Sequence, residues 1–267
     1  MANELKPCYI ASCSCGNDSI AMVWELIRRG CPLDEVVRYN NGMDFACIDL
    51  LWEKLKEKCE PLGIKCTELK PKNDFLFDMH ERPKTKRNGE KVFGDGWCGG
   101  ACRWGTFEKI ATLNKYALDK NAIVDVGFAI DEPKRILDLE WYKRSPLADW
   151  GYSQKDCLEI NRQNGIEWLE KTPRTESGYI NLYTILDRVS CWCCANKNAW
   201  ELWNMWYYLP QYWEKLKEMQ SKIDKPMKKL CNKKFGEYGN VFDLEKIFES
   251  GYVPKHRNRR TTDEQAD

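Results

Sequence analysis

Apolar positions in the first seventy residues alternate between short runs and helical spacings. Residues 7–14 are a short apolar run bounded by turn chemistry, which predicts a buried strand. Over residues 19–29, Ile20, Met22, Val23, Leu26 and Ile27 recur at helical spacing, and Gly30 supplies a stop. Residues 34–40 predict a second strand. Residues 48–62 predict an amphipathic helix ending at Gly63, and residues 64–69 a third strand. Strand–helix–strand–helix–strand is the pattern of an α/β fold with a parallel sheet.

Residues 71–106, rich in Lys, Asn, Gly and Pro, break this rhythm and read as irregular. A helix is expected over 106–116, a strand over 122–129, and two weaker helices over 153–164 and 165–171. Residues 196–222 read as a long helical region broken near Pro210. The expected organisation is an α/β domain over 1–195, an aromatic-rich helical cap over 196–252 and a disordered tail over 253–267.

Composition narrows the function classes. The 42 basic and 41 acidic residues leave a net charge of +1, so no global field favours nucleic acid. No run of about 18 apolar residues exists, so no membrane partner is expected. The start, Met-Ala-Asn-Glu-Leu-Lys, lacks an apolar signal core and implies a cytoplasmic protein. The 14 cysteines are then expected as thiols, and with only two histidines a metal site must lean on sulfur or carboxylate.

Ser14-Cys15-Gly16-Asn17-Asp18-Ser19 joins the first strand to the first helix. Small residues let backbone approach an anion, helix-terminal amides point at it, and Ser14 and Ser19 can donate to phosphate oxygens. Asp18 would cap the helix or hold Mg²⁺. A plain strand-to-helix turn, with Asp18 or Ser19 as N-cap, accounts for the same six residues.

Cys98 and Cys102, spaced Cys-x₃-Cys, and Cys191 and Cys194, spaced Cys-x₂-Cys, form two pairs. Brought together they make a four-thiolate site for Zn²⁺ or an iron–sulfur cluster. Cys193 could replace Cys194 or stay free as a reactive thiol. Cys8, Cys13, Cys31, Cys47, Cys59, Cys66 and Cys157 read as packing, and Cys231 as a half-buried helical cysteine between lysines. Trp200, Trp203, Trp206, Tyr207 and Trp213 paint one helix face, read as core or interface rather than a base-stacking platform. The basic stretch 255–260 reads as part of a solvated tail.

The loop resembles the PP-loop of the ATP pyrophosphatases, and of these the phosphoadenylyl-sulfate (PAPS) reductase-like family. Cys15 stands where the family usually has glycine, and Asn17 where the reductases carry lysine. Gly127-Phe-Ala-Ile-Asp-Glu-Pro-Lys-Arg135, Ser145-Pro-Leu-Ala-Asp-Trp150 with Asp156, and Arg188-Val-Ser-Cys-Trp-Cys-Cys194 are similar to later family segments in the same order. The resemblance implies a Rossmann-like parallel sheet of the adenine nucleotide α-hydrolase type. It implies ATP, or PAPS, with Mg²⁺ at Ser14, Cys15, Gly16, Asn17, Asp18 and Ser19, and Lys134 and Arg135 on phosphate or sulfate oxygens. It favours a [4Fe–4S] cluster over zinc at Cys98, Cys102, Cys191 and Cys194.

The implied activity is adenylation of an acceptor followed by sulfur transfer, with Asp18, Arg135 and Cys193 as catalytic candidates. The sulfur acceptor would be a tRNA, DNA or a small molecule, served by a sulfur or electron donor, and a homodimer is one allowed assembly. The family's terminal Glu-Cys-Gly-Leu-His is absent, which places a PAPS or adenylyl-sulfate reductase with a non-standard thiol second. A nucleotide-binding regulator without catalysis is the third expectation.

Overall fold

The computed structural model describes residues 7–256 apart from residue 233. β1 (Cys8–Ser12), α1 (Asn17–Arg28), β2 (Glu35–Tyr39), α2 (Ala46–Cys59) and β3 (Lys65–Leu69) open the chain as the apolar pattern predicts. α3 (Phe75–His80), the hairpin of β4 (Pro83–Thr85) and β5 (Lys91–Phe93), and a π-helical turn at Arg103–Glu108 lead into α4 (Lys109–Asp119). β6 (Ala122–Val126), α5 (Pro133–Leu137), β7 (Lys143–Arg144), α6 (Pro146–Asp149) and α7 (Gln154–Gln163) follow. Next come a second hairpin, β8 (Leu169–Lys171) with β9 (Tyr179–Asn181), then α8 (Ala199–Tyr208) and α9 (Pro210–Ser221). A third hairpin, β10 (Leu230–Asn232) with β11 (Gly236–Tyr238), precedes α10 (Val241–Glu249).

Five strands form an all-parallel, Rossmann-like sheet in the order β3-β2-β1-β6-β7. The chain leaves β1 toward β2 on one side, and β6 pairs with β1 on the other. The carboxyl ends of β1 and β6 therefore flank the point where strand order reverses, the place where open α/β sheets bind ligands. Successive strand residues face opposite layers. Ala11 and Val36 join a large core with Ile20, Leu26, Trp52 and Trp168, whereas Ile10, Val37 and Val124 pack with Ala117 of α4 and Tyr142. Asp125 on β6 is fully buried and takes two hydrogen bonds of 2.9 Å from Arg144. Burial still pushes its carboxyl up to about 6.

The structure corrects several expectations. The segment 71–106 is not irregular throughout: Asp74 caps α3, accepting from the N–H groups of Leu76 and Phe77, and Phe75 and Met79 turn into the core. The expected helix at 106–116 starts three residues later, after the π-helical turn. Residues 165–171 are not helical. Ile166, Trp168 and Glu170 are buried while Glu167, Leu169 and Lys171 are exposed, a two-residue period that suits a strand. The alternation is hidden in the sequence because Glu170 is a buried carboxylate, accepting from the Cys47 N–H at 2.7 Å.

The aromatic stretch breaks at Pro210 as expected, yet the side of α8 that enters the core carries Leu202, Met205 and Asn204. Its aromatics are half-buried and pack on one another, with Trp203 and Tyr207 stacked at 5.2 Å and Trp206 against Phe248 of α10. Cys231 lies exposed on β10, not on a helix. Of the expected tail, residues 257–267 lie outside the described residues. His256 is held, its Nε2 2.7 Å from Asp187 Oδ1 and its ring 4.0 Å from Trp200. Among the described residues no helix is long and apolar enough to cross a membrane.

Candidate functional site: an anion loop facing a thiol-lined cavity

The loop after β1 is built to leave donors open. α1 starts at Asn17, with Gly16 as an N-cap that offers no side chain. Asp18 and Ser19 are therefore not caps but lie in the first turn. Asn17 N–H donates to the Tyr183 hydroxyl at 2.8 Å. Among the described residues the N–H groups of Gly16, Asp18 and Ser19 meet no acceptor, and α1 adds its positive end there. Ser14 Oγ lies 3.4 Å from Ser19 Oγ, and Ser19 Oγ donates to the Gly16 carbonyl at 3.1 Å.

Two geometric features explain the residue choices here. Cys15 has φ = 55°, in the left-handed region where glycine is at ease. A Cβ there costs roughly 1–2 kcal/mol. The thiol offsets this by full burial, sharing a hydrogen bond with Cys13 that, together with burial, holds Cys15 well above the usual thiol range. Gly127, just past β6, approaches α1 so closely that a Cβ would stand 2.7 Å from Ser19 Cα and 2.8 Å from Ser19 N.

The loop is tied down from the far half of the chain. Trp168 Nε1 donates to the Cys15 carbonyl at 2.7 Å, and Asn161 Nδ2 donates to both Asn17 oxygens at 2.8 and 2.9 Å. Asn17 Nδ2 in turn donates to Asp18 Oδ1 and to the Gln154 carbonyl. Asn17 is thus a buried strut of the loop rather than a replacement for a ligand-facing lysine. Tyr183→Phe removes the acceptor for the Asn17 N–H and is expected to cost about 1–3 kcal/mol of unfolding free energy, read by urea denaturation. An unchanged midpoint and slope would show that water serves as well.

Asp18 sits among carboxylates. Burial first, then Glu132 and Asp131, push its carboxyl up to about 6, against the opposing hydrogen bonds from Asn17 and Cys157. Asp156, part of a segment similar to the family's, forms a capping box with Ser153 at the start of α7. Arg135 lies on α5, paired with Glu132 at 2.7 Å and stacked 3.8 Å over Phe128. Lys134 beside it is exposed on α5.

A cavity of about 400 Å³ opens beside the loop. Ser14, Arg135, Cys98, Cys102, Cys191, Cys193 and Cys194 all line it, so the fold brings both cysteine pairs and Ser14 of the loop to one space. Among the described residues no three His, Cys, Asp or Glu side chains are gathered tightly enough to hold a metal ion. The donor set suits soft metals all the same, being thiols with no histidine. Burial pushes the Cys191 thiol up to about 11, opposed by a 3.3 Å hydrogen bond from Asn41 Nδ2. Cys193 is 5% exposed, and burial drives its thiol well above the usual range. That is the opposite of what an activated nucleophile needs.

Several lining residues are not marked as site candidates by the sequence. Lys109 and Arg188 bring positive charge to the cavity, and Tyr39, Trp97 and Trp104 supply a buried aromatic wall. Among the described residues the hydroxyl of Tyr39 and the indole N–H groups of Trp97 and Trp104 have no hydrogen-bond partner. Their signal in the sequence is weak: Trp97 and Trp104 flank the Cys-x₃-Cys pair, and Arg188 precedes the Cys-x₂-Cys pair. No protein-family model and no curated protein matches the chain.

Proposed function

We propose that the chain is an ATP-using enzyme of the PP-loop pyrophosphatase type, with a PAPS reductase-like, adenine nucleotide α-hydrolase sheet, which adenylates an acceptor and then transfers sulfur to it. The observation that carries this reading is that Ser14 of the anion loop and the two cysteine pairs line one cavity. Phosphate binding and sulfur chemistry then share a site.

In this reading the open amides of Gly16, Asp18 and Ser19 cradle the β- and γ-phosphates, with the Ser14 hydroxyl, and the Ser19 hydroxyl once it leaves the Gly16 carbonyl, completing the grip. Asp18, its carboxyl raised by burial and by its neighbours Glu132 and Asp131, would hold Mg²⁺, which would supply positive charge for the leaving pyrophosphate. An acceptor oxygen attacks the α-phosphorus, the bond to the bridging oxygen breaks, and pyrophosphate departs. A sulfur nucleophile then attacks the adenylated carbon, its carbon–oxygen bond breaks, and AMP leaves. Cys98, Cys102, Cys191 and Cys194 would hold a [4Fe–4S] cluster, or zinc, and a cluster held there supplies bound sulfide. Lys109 and Arg188 would steady negative charge in the cavity, as would Arg135 after exchanging Glu132 for substrate oxygens.

The reductase alternative requires a reactive thiol. Cys193 is buried and protonated, and exposed Cys231 lies on the β10–β11 hairpin, so neither favours it. The test is anaerobic purification with iron, sulfide and zinc analysis, followed by assay of pyrophosphate release from ATP–Mg²⁺ with tRNA, DNA and small oxo-heterocycles. Iron and sulfide are expected in the wild type and lost in Cys98→Ser and Cys194→Ser, with pyrophosphate release dependent on one acceptor class. Zinc without sulfide would remove the sulfur-delivery role. Sulfite release from PAPS would replace the reading with a reductase, and tight ATP binding without turnover would leave a regulator.

A further inference from the structure

The two cysteine loops differ in how they are held. The later one is braced within itself and from outside. Cys194 N–H donates to the Cys191 carbonyl at 3.0 Å, Lys197 N–H to the Cys194 carbonyl at 3.2 Å, and buried Lys197 Nζ to Ser190 Oγ at 3.0 Å. Lys228 Nζ reaches the Ala195 carbonyl at 2.8 Å, Trp192 N–H meets the Met43 carbonyl at 2.9 Å, and Asn41 holds Cys191 directly.

The early loop is braced at its end, where the Cys102 carbonyl accepts from the Thr106 and Phe107 N–H groups at 3.0 and 3.2 Å, but less so between its cysteines. Between Cys98 and Cys102 stand Gly99, Gly100 and Ala101, and Gly100 adopts φ = 65°. Among the described residues, what reaches this stretch of backbone from elsewhere is one side chain. Asn196 Oδ1 accepts from Gly100 N–H at 2.7 Å, and Asn196 Nδ2 donates to the Gly100 carbonyl at 2.8 Å. A primary amide pairing with both polar groups of one residue imitates a strand partner, and it fixes orientation as well as distance. It spans 96 positions of sequence and joins a residue midway between one cysteine pair to a residue two beyond the other.

We propose that Asn196 is the positioning residue of the thiolate site, holding the Cys98–Cys102 loop against the Cys191–Cys194 loop so that four sulfurs can close on one metal. This rests on the four-thiolate reading above. It predicts that the clasp acts on metal affinity rather than on the fold, because the late loop and the core are braced independently of it. Loss of a group that orients ligands typically weakens metal binding about 10–100-fold.

The test is anaerobic titration of the reduced apoprotein with Co²⁺ alone, following thiolate-to-cobalt charge transfer and the tetrahedral visible bands. Near-ultraviolet circular dichroism of the tryptophans reports the fold. Asn196→Ala is expected to keep the dichroism and weaken Co²⁺ binding about 10–100-fold, with fewer thiolates per metal in the charge-transfer band. Asn196→Leu, which fills similar volume without hydrogen bonds, is expected to do the same and decides the matter should the alanine variant fail to fold. Wild-type affinity and spectrum in either folded variant overturns the proposal. Absence of Co²⁺ uptake by the wild-type protein overturns the thiolate site itself, a separate result.

Discussion

Gly127→Ala is expected to weaken ATP–Mg²⁺ binding about ten- to hundredfold, measured by isothermal titration. Gly127 has no left-handed backbone to protect, so the substitution reads out only the space its Cβ needs. That Cβ would lie 2.7 Å from Ser19 Cα, 2.8 Å from Ser19 N and 2.9 Å from the Asp18 carbonyl carbon. All three are backbone atoms at the first turn of α1, so no rotamer change relieves the overlap. Overpacking of this kind costs about 1–3 kcal/mol. The least costly response is displacement of the α1 terminus from β6, which spoils the alignment of the open amides. At about 1.4 kcal/mol per decade, the cost maps onto the stated loss of affinity. A lower melting temperature should accompany it. Full ATP affinity in a correctly folded Gly127→Ala protein would move the nucleotide away from this loop.

Asp18→Asn is expected to act in opposite directions on stability and on turnover. In the folded chain the Asp18 carboxyl titrates at about 6, against 3.8 for the ordinary group. Between these values the unfolded chain releases a proton that the folded chain keeps, so stability falls as pH rises through the window. Below about pH 4 both forms are protonated and the cost vanishes, whereas above about pH 7 it is complete. Raising the carboxyl this far above its ordinary value costs the folded state about 3 kcal/mol once the group is ionised. The asparagine variant should therefore match wild type near pH 4 and exceed it by up to about 3 kcal/mol at pH 8, in urea denaturation with chelator and without nucleotide. Mg²⁺-dependent pyrophosphate release should fall about 10²-fold or more, since the carboxylate proposed to hold Mg²⁺ against the leaving group is lost. A variant no more stable at pH 8 than at pH 4, relative to wild type, would show that Asp18 is not strained. Undiminished turnover would place Mg²⁺ elsewhere.

The parts of this molecule legible in sequence are those with local causes. β1 through β3 follow from apolar runs, helical spacing and the stops at Gly30 and Gly63, because each is decided within a dozen residues. Buried polar groups hid the rest. Glu170 masks the alternation of 165–171, and Asn161, which grips both oxygens of Asn17, looks like any polar helix residue. The cysteine pairs are legible as spacing, yet the cavity that gathers them also needs Tyr39, Trp97, Trp104 and Lys109, which no short motif marks. In sequence Asn17 reads as a change of charge at the phosphates, and only the fold shows its amide consumed by Asp18, Gln154 and Asn161.

The ties on the loop also set an order of assembly. Cys15 and Asn17 emerge first during synthesis, but their partners Asn161, Trp168 and Tyr183 lie 144 to 166 positions later. Such long closures are slow, since their entropy must be spent before the contacts form. A growing chain therefore carries the loop without its braces until Tyr183 has been made, and on the function proposed above the ability to hold ATP would arrive late. If the proposal holds, ATP should protect a chain that extends past Tyr183 from proteolysis while leaving shorter nascent forms unprotected.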